Sequence, residues 1–191
     1  MPSTWTGVAA GHTHTCGIRP DDQLLCWGGN ARGQLGVGDT TRRMSPAVVG
    51  TQGDWLMVTT GDFASHTCAL KNDGRRYCWG ANNRGQLGID NRTDRLTPGR
   101  LAGETGWLSI VVGGYHTCGI QVGNVLSCWG ENSSGQLGLG DEDNRQVPTA
   151  VLSSAYRTTS ATSWSEDPTA SVEGLPRDLT SESMSTTTAR C

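Results

Sequence analysis

Three observations predict an all-β chain built from β-propeller blades. A unit of 50–52 residues occurs three times, glycine supplies 27 of the 191 residues, and no run rich in Ala, Leu, Glu and Lys is long enough to make a helix. A period near fifty with several short strands per unit is the signature of a propeller blade. Frequent glycine suits the tight turns that join such strands, because it reaches positive φ at no steric cost. Apolar residues make up only 35% of the chain. That share fits several small cores better than one large one.

The first element of each unit is a Trp-led strand: Trp5-Thr-Gly-Val, Trp55-Leu-Met-Val and Trp107-Leu-Ser-Ile. Next come two strands joined by a turn: HTCGIRPDDQLLCWG from His14, HTCALKNDGRRYCWG from His66 and HTCGIQVGNVLSCWG from His116. The β-formers on either side and the Pro, Asp, Asn and Gly between them read as an antiparallel hairpin. If Cys16 faces Cys26, then Ile18 faces Leu24. The same arithmetic sets Cys68 against Cys78, Cys118 against Cys128 and Ile120 against Leu126, so the apolar groups share one face. The second unit departs from this, since Leu70 then meets Arg76. The turns NARGQLG, NNRGQLG and NSSGQLG follow, and Pro46, Pro98 and Pro148 mark a last strand. Asp90 stands where the other units have Gly38 and Gly140, and Asp tolerates left-handed backbone better than most residues.

The combination of G-x-x-HT, CWG, N-x-x-GQLG and a later proline resembles the regulator of chromosome condensation repeat. Its cysteine-containing form is similar to that of bacterial extracytoplasmic relatives. The resemblance covers residues 5 to about 151 and divides them at 5–54, 55–106 and 107–151. It implies a ring that usually closes with seven blades, so three blades form an open partial ring. Residues 152–191 carry no HTC, CWG or GQLG, and Arg157 stands where a fourth blade would bring its Trp. This Ser/Thr-rich tail is expected to be disordered, because it has little apolar surface to offset ordering entropy. The sudden loss of the repeat also fits a frameshift or a truncation, with the chain a fragment of a larger secreted or surface protein.

Six of the seven cysteines, Cys16, Cys26, Cys68, Cys78, Cys118 and Cys128, form pairs ten residues apart that face across a hairpin. Opposed positions of an antiparallel pair lie within disulfide range, and the leading expectation is three disulfides within blades. Metal binding by His14, Cys16, Cys26 and their equivalents is the first alternative, but H-x-C-x9-C matches no familiar zinc spacing. Buried reduced thiols are the second. Cys191 has no counterpart. His14, His66 and His116 fill one repeated position, which suits packing or hydrogen bonding better than catalysis. Trp27, Trp79 and Trp129 are expected to bury surface between blades. Members of this family that sense ultraviolet-B light carry a Trp-Arg-His-Thr segment, which is missing here. Asp141-Glu142-Asp143-Asn144 lacks the pattern of a calcium loop and reads as a solvated turn.

No catalytic residue, metal site or cofactor is expected, and the leading function is a non-enzymatic protein-binding scaffold. Propellers present loops from successive blades to a partner. The variable segments where a partner would be read are Arg19–Gln23, Arg42–Met44, Lys71–Arg75, Arg92–Arg95 and Gln121–Asn124, and Arg42, Arg43, Arg92, Arg95 and Arg145 are candidates for one partner-binding rim. The family name implies a rival, guanine-nucleotide exchange on a small GTPase. A second alternative that the resemblance implies is inhibition of a secreted enzyme such as a β-lactamase. The net charge of −3 offers nothing to nucleic acid, and no apolar run approaches the roughly 20 residues of a membrane span. Open blade edges would allow self-association. Paired cysteines argue for an extracytoplasmic or secreted location with a signal upstream of Met1, and the missing leader argues for the cytoplasm.

Overall fold

The computed structural model describes residues 4–51, 53–100 and 105–152. The expectation of a disordered tail lies outside these residues. Twelve strands make three separate four-stranded antiparallel sheets, with no helix among the described residues. The first sheet holds β1 (Gly7–Ala10), β2 (His14–Ile18), β3 (Leu24–Gly28) and β4 (Arg43–Val48) in chain order. The second holds β5 (Trp55–Thr59), β6 (His66–Lys71), β7 (Arg76–Gly80) and β8 (Arg95–Arg100). The third holds β9 (Trp107–Val112), β10 (His116–Gln121), β11 (Val125–Gly130) and β12 (Arg145–Ala150). This is the blade architecture that the triple repeat predicts.

The hairpin register is the one the cysteine spacing gives. Cys16 faces Cys26, Ile18 faces Leu24, Cys68 faces Cys78, Leu70 faces Arg76, Cys118 faces Cys128 and Ile120 faces Leu126. The outer pairings all shift by two residues just after the second cysteine, between Cys26 and Gly28, Cys78 and Gly80, and Cys128 and Gly130. A bulge at that point increases local twist and lets the outer strand swing away into a long loop. At the end of that loop region Asp90 takes φ 58°, where Gly38 and Gly140 have φ 91° and 84°. The aspartate therefore occupies the left-handed region, as its place in the repeat suggests.

The apolar core lies between blades. One cluster joins Ile18, Leu24, Leu35 and the first cysteine pair to Trp55, Val58 and Trp79 of the second blade. A second joins Leu70, Leu87 and the second cysteine pair to Trp107, Ile110 and Trp129 of the third. Each four-stranded sheet is too thin to bury a core alone, so stacking supplies the burial, as in other repeat architectures.

Candidate protein-interaction surface

The blade has two ends that differ in chemistry. The short turns β2–β3, β6–β7 and β10–β11 lie at one end. The loops 29–42, 81–94 and 131–144 lie at the other, together with the β1–β2 type connections. Long loops on a fixed scaffold are where partners are usually read. These loops are held rigidly from inside. Asn30, Asn82 and Asn132 are buried. Each accepts a hydrogen bond at its side-chain oxygen from the backbone N–H of Leu35, Leu87 or Leu137 at 2.9–3.0 Å. Each donates from Nδ2 to the far side of the loop, to the carbonyls of Asp39, Asn91 and Asp141 at 2.8–2.9 Å. An asparagine presents one acceptor and two donors, which this double crossing uses on both sides. The repeated asparagine was visible in the sequence, but its role in pinning the loop was not.

The five candidate arginines all stand at this end, in or just after the long loops. Only three are equivalent. Arg43, Arg95 and Arg145 each pair in register with the last glycine of the hairpin: Gly28, Gly80 and Gly130. Arg43 and Arg145 are folded back onto their own loops, with ion pairs of 2.6 Å to Asp39 and Asp141. Each arginine's hydrogen bond holds its partner carboxyl below the usual carboxylate range. Asn91 replaces that aspartate in the second blade, and Arg95 makes no ion pair among the described residues. Arg42 and Arg92 are exposed and likewise unpaired among the described residues. Arg32 and Arg84, which sequence reasoning passed over, bridge neighbouring blades through Asp94 at 3.0 Å and Glu131 at 3.4 Å. The variable segments 19–23, 71–75 and 121–124 belong to the opposite end and do not join the arginines.

The repeated cysteines, histidines and tryptophans build the blade boundaries. The Sγ atoms of Cys16 and Cys26, Cys68 and Cys78, and Cys118 and Cys128 are at bonding distance, 2.08, 2.14 and 2.11 Å. Thr67 donates to the carbonyl of Gln34 at 2.8 Å, and His14 Nε2 lies 2.8 Å from the same hydroxyl. The hydroxyl has a single proton and gives it to the carbonyl. Nε2 of His14 must therefore be the donor of the other bond, which leaves its Nδ1 unprotonated. The second boundary repeats this with His66, Thr117 and Gln86 at 2.9 Å throughout. Burial lowers the pKa of His14 to about 4 and that of His66 to about 3, so both rings are neutral at ordinary pH. Their geometry is that of packing groups hydrogen-bonded across a blade boundary. Among the described residues no group of three acidic, His or Cys side chains could hold an ion.

Arg76, the exception in the hairpin pattern, is almost fully buried. Its guanidinium lies 5.3 Å from the ring of Trp107 and 4.4 Å from that of Trp129 in the next blade, and it donates to the carbonyls of Leu87 and Gly88. It replaces the buried leucine of the first blade with a cation–π clamp across the boundary. A cleft of about 450 Å³ opens beside the first boundary, lined by Val37, Val48, Trp55, Lys71, Tyr77 and Pro98. Lys71 pairs there with Asp54 at 2.7 Å, over the rings of Trp55 and Tyr77.

The model of the regulator of chromosome condensation (RCC1) repeat matches residues 21–70, 73–120 and 123–163, and a second form of it matches residues 5–34. The chain is 38% identical to the Arabidopsis thaliana ultraviolet-B receptor UVR8 over 101 residues, 52% of this chain and 22% of the receptor. It is 39% identical to the Danio rerio protein RCC2 homolog over 83 residues, 44% of this chain and 17% of that one. It thus spans less than a quarter of the length of these relatives. The fold is similar to that of yeast RCC1 (Prp20) in a crystal structure bound to Kap60, with a TM-score of 0.71 and 22% identity, covering 80% of this chain and 38% of the yeast one. The first two matches run from the third strand of one blade to the second strand of the next, so the sequence repeat straddles a blade boundary. With the repeat matched over most of its length and folded into three such blades, the chain belongs to the regulator of chromosome condensation repeat family.

Proposed function

We propose that this chain is a protein-binding scaffold and that the long-loop end is its reading surface. One observation carries the reading: Arg42 and Arg92, on loops pinned by buried asparagines, and Arg95 at the start of β8 are unpaired among the described residues. Rigid loops lose little entropy on binding, and unpaired guanidiniums offer a planar fork for a carboxylate. An acidic protein segment is the partner that this chemistry fits. The reading assigns no catalytic step. The six paired cysteines support an oxidising compartment as the place of assembly.

The test is site-specific photo-crosslinking in extracts of the native source. A photo-reactive residue replacing Glu142 or Asp90, beside the arginines, should give discrete adducts that disappear in an R42E/R92E/R95E variant. The same residue at Val122, at the opposite end, should give none. Adducts from Val122 alone would overturn the proposal.

A further inference from the structure

The two boundaries inside the chain follow one plan, with Arg76 in the place of Leu24 at the second, and each end of the blade stack carries half of it. On that plan a blade offers its successor two apolar side chains, the carbonyl of its GQLG turn and a histidine Nε2. In the first blade these are Ile18, Leu24, Gln34 and His14, with Ile18 and Leu24 only 1–2% exposed. The successor answers with Trp55, Val58, Thr67 and Trp79, none more than 8% exposed. The third blade presents the offering half with no further described blade upon it. Ile120 and Leu126 are 37% and 40% exposed, and nothing among the described residues bonds the Gln136 carbonyl. The first blade presents the answering half. Trp5 and Val8 are 37% and 71% exposed, and neither Thr15 nor the indole N–H of Trp27 has a hydrogen-bond acceptor among the described residues.

The space is also matched. At the internal boundaries a tryptophan lies on the last glycine of GQLG, so close that a Cβ there would meet its indole nitrogen at 2.6 Å (Gly36) or 2.7 Å (Gly88). At Gly138 the nearest atom to such a Cβ is Val151 Cγ1 at 3.5 Å, and at Gly135 there is none within 4 Å. Charge agrees as well. Arg32 meets Asp94 and Arg84 meets Glu131 across the internal boundaries. In the third blade Ser134 takes the arginine's place, and in the first blade Arg42 takes that of Asp94. A join between these two faces would therefore avoid a pair of like charges.

We propose that the open face of the third blade docks on the open face of the first blade of a second copy of this chain. Two such joins make a head-to-tail dimer of six blades, a number within the range of closed propellers. The contact is heterologous and closes by rotation, so both joins are equivalent. It uses the flat faces of the blades and leaves their hydrogen-bonding edges alone. This goes beyond the scaffold reading and does not depend on it.

Sedimentation equilibrium of the full oxidised chain should give about twice the 20.2 kDa of one copy. Leu126→Glu blocks one face and Val8→Glu the other. Both side chains are exposed, so each variant should fold, with three cysteine pairs and a β-type far-ultraviolet spectrum, and run as a monomer. Mixing the two variants should restore a dimer through the one join that keeps both wild-type faces. A monomeric parent would overturn the proposal and leave these faces to other repeats. So would a dimer that neither variant dissociates, or single variants that mixing does not rescue.

Discussion

The carbonyl oxygen of Gln34 lies 2.9 Å from the indole nitrogen of Trp79, across the boundary between the first two blades. The same oxygen accepts from Thr67, the cross-strand partner of Trp79, so both lone pairs are used by one pair of donors. Gln86 repeats the arrangement with Thr117 and Trp129. Trp79→Phe and Trp129→Phe keep most of the apolar volume and remove one buried donor each. Each should lower unfolding free energy by about 1–3 kcal/mol in urea titrations. Equal midpoints for parent and variants would show that these bonds contribute nothing net.

Burial of His14 and His66 makes stability depend on pH. Their folded pKa values, about 4 and about 3, lie below the ordinary value of 6.5. The unfolded chain thus takes up protons that the folded chain refuses. The stabilising contribution is complete above pH 6.5 and is lost as pH falls from there towards 4. The slope is about 1.4 kcal/mol per pH unit for each histidine that stays neutral. His14→Gln should flatten the curve of urea midpoint against pH in this window, even if it lowers the plateau. An unchanged slope would mean that His14 titrates normally in the folded state.

Repetition made the fold legible. Three copies of HTC, CWG and GQLG fixed strand order and hairpin register, because a cross-strand cysteine pair at fixed spacing leaves one alignment that keeps the apolar groups together. The rim was less legible. Arg42 and Arg92 look like counterparts of Arg43 and Arg95, yet only the register opposite Gly28 and Gly80 separates the repeated position from the solitary ones. Whether an arginine is spent on its own loop depends on a partner four residues away, Asp39 or Asn91, a local exchange that composition does not reveal. The boundary network was hidden for another reason. It joins Gln34 to Thr67 and Trp79, residues far apart in the chain, and its acceptor is a backbone carbonyl with no sequence signature.

Arg76 should stabilise the second boundary through its polar contacts. Arg76→Leu supplies the side chain that the first and third blades carry at this position, so packing volume is largely kept. It removes donors from the buried carbonyls of Leu87 and Gly88 and the cation from the faces of Trp107 and Trp129. A loss of about 1–3 kcal/mol is expected, followed by tryptophan fluorescence in urea. A neutral or stabilising result would place this arginine with buried ions whose desolvation outweighs their contacts.

The three cysteine pairs should differ in their response to reductant, although their spacing is identical. Cys16 and Cys26 lie in the core of the first boundary and Cys68 and Cys78 in that of the second, all at 1% exposure or less. Cys118 is half-buried, on the face that no further described blade covers. Thiol–disulfide exchange requires a thiolate to approach one sulfur in line, so access governs the rate when the folded state persists. If all three pairs are disulfides in the mature protein, mild reductant under native conditions should open Cys118–Cys128 first. The other two should open only on a timescale set by unfolding. Timed alkylation with peptide mass spectrometry would record the order. Simultaneous labelling of all six would show that opening is global, and labelling without any reductant would show that the thiols were free. Leu126→Glu sharpens the test. If a second copy covers this face, the variant should lose Cys118–Cys128 faster than the parent while the other two pairs keep their rates.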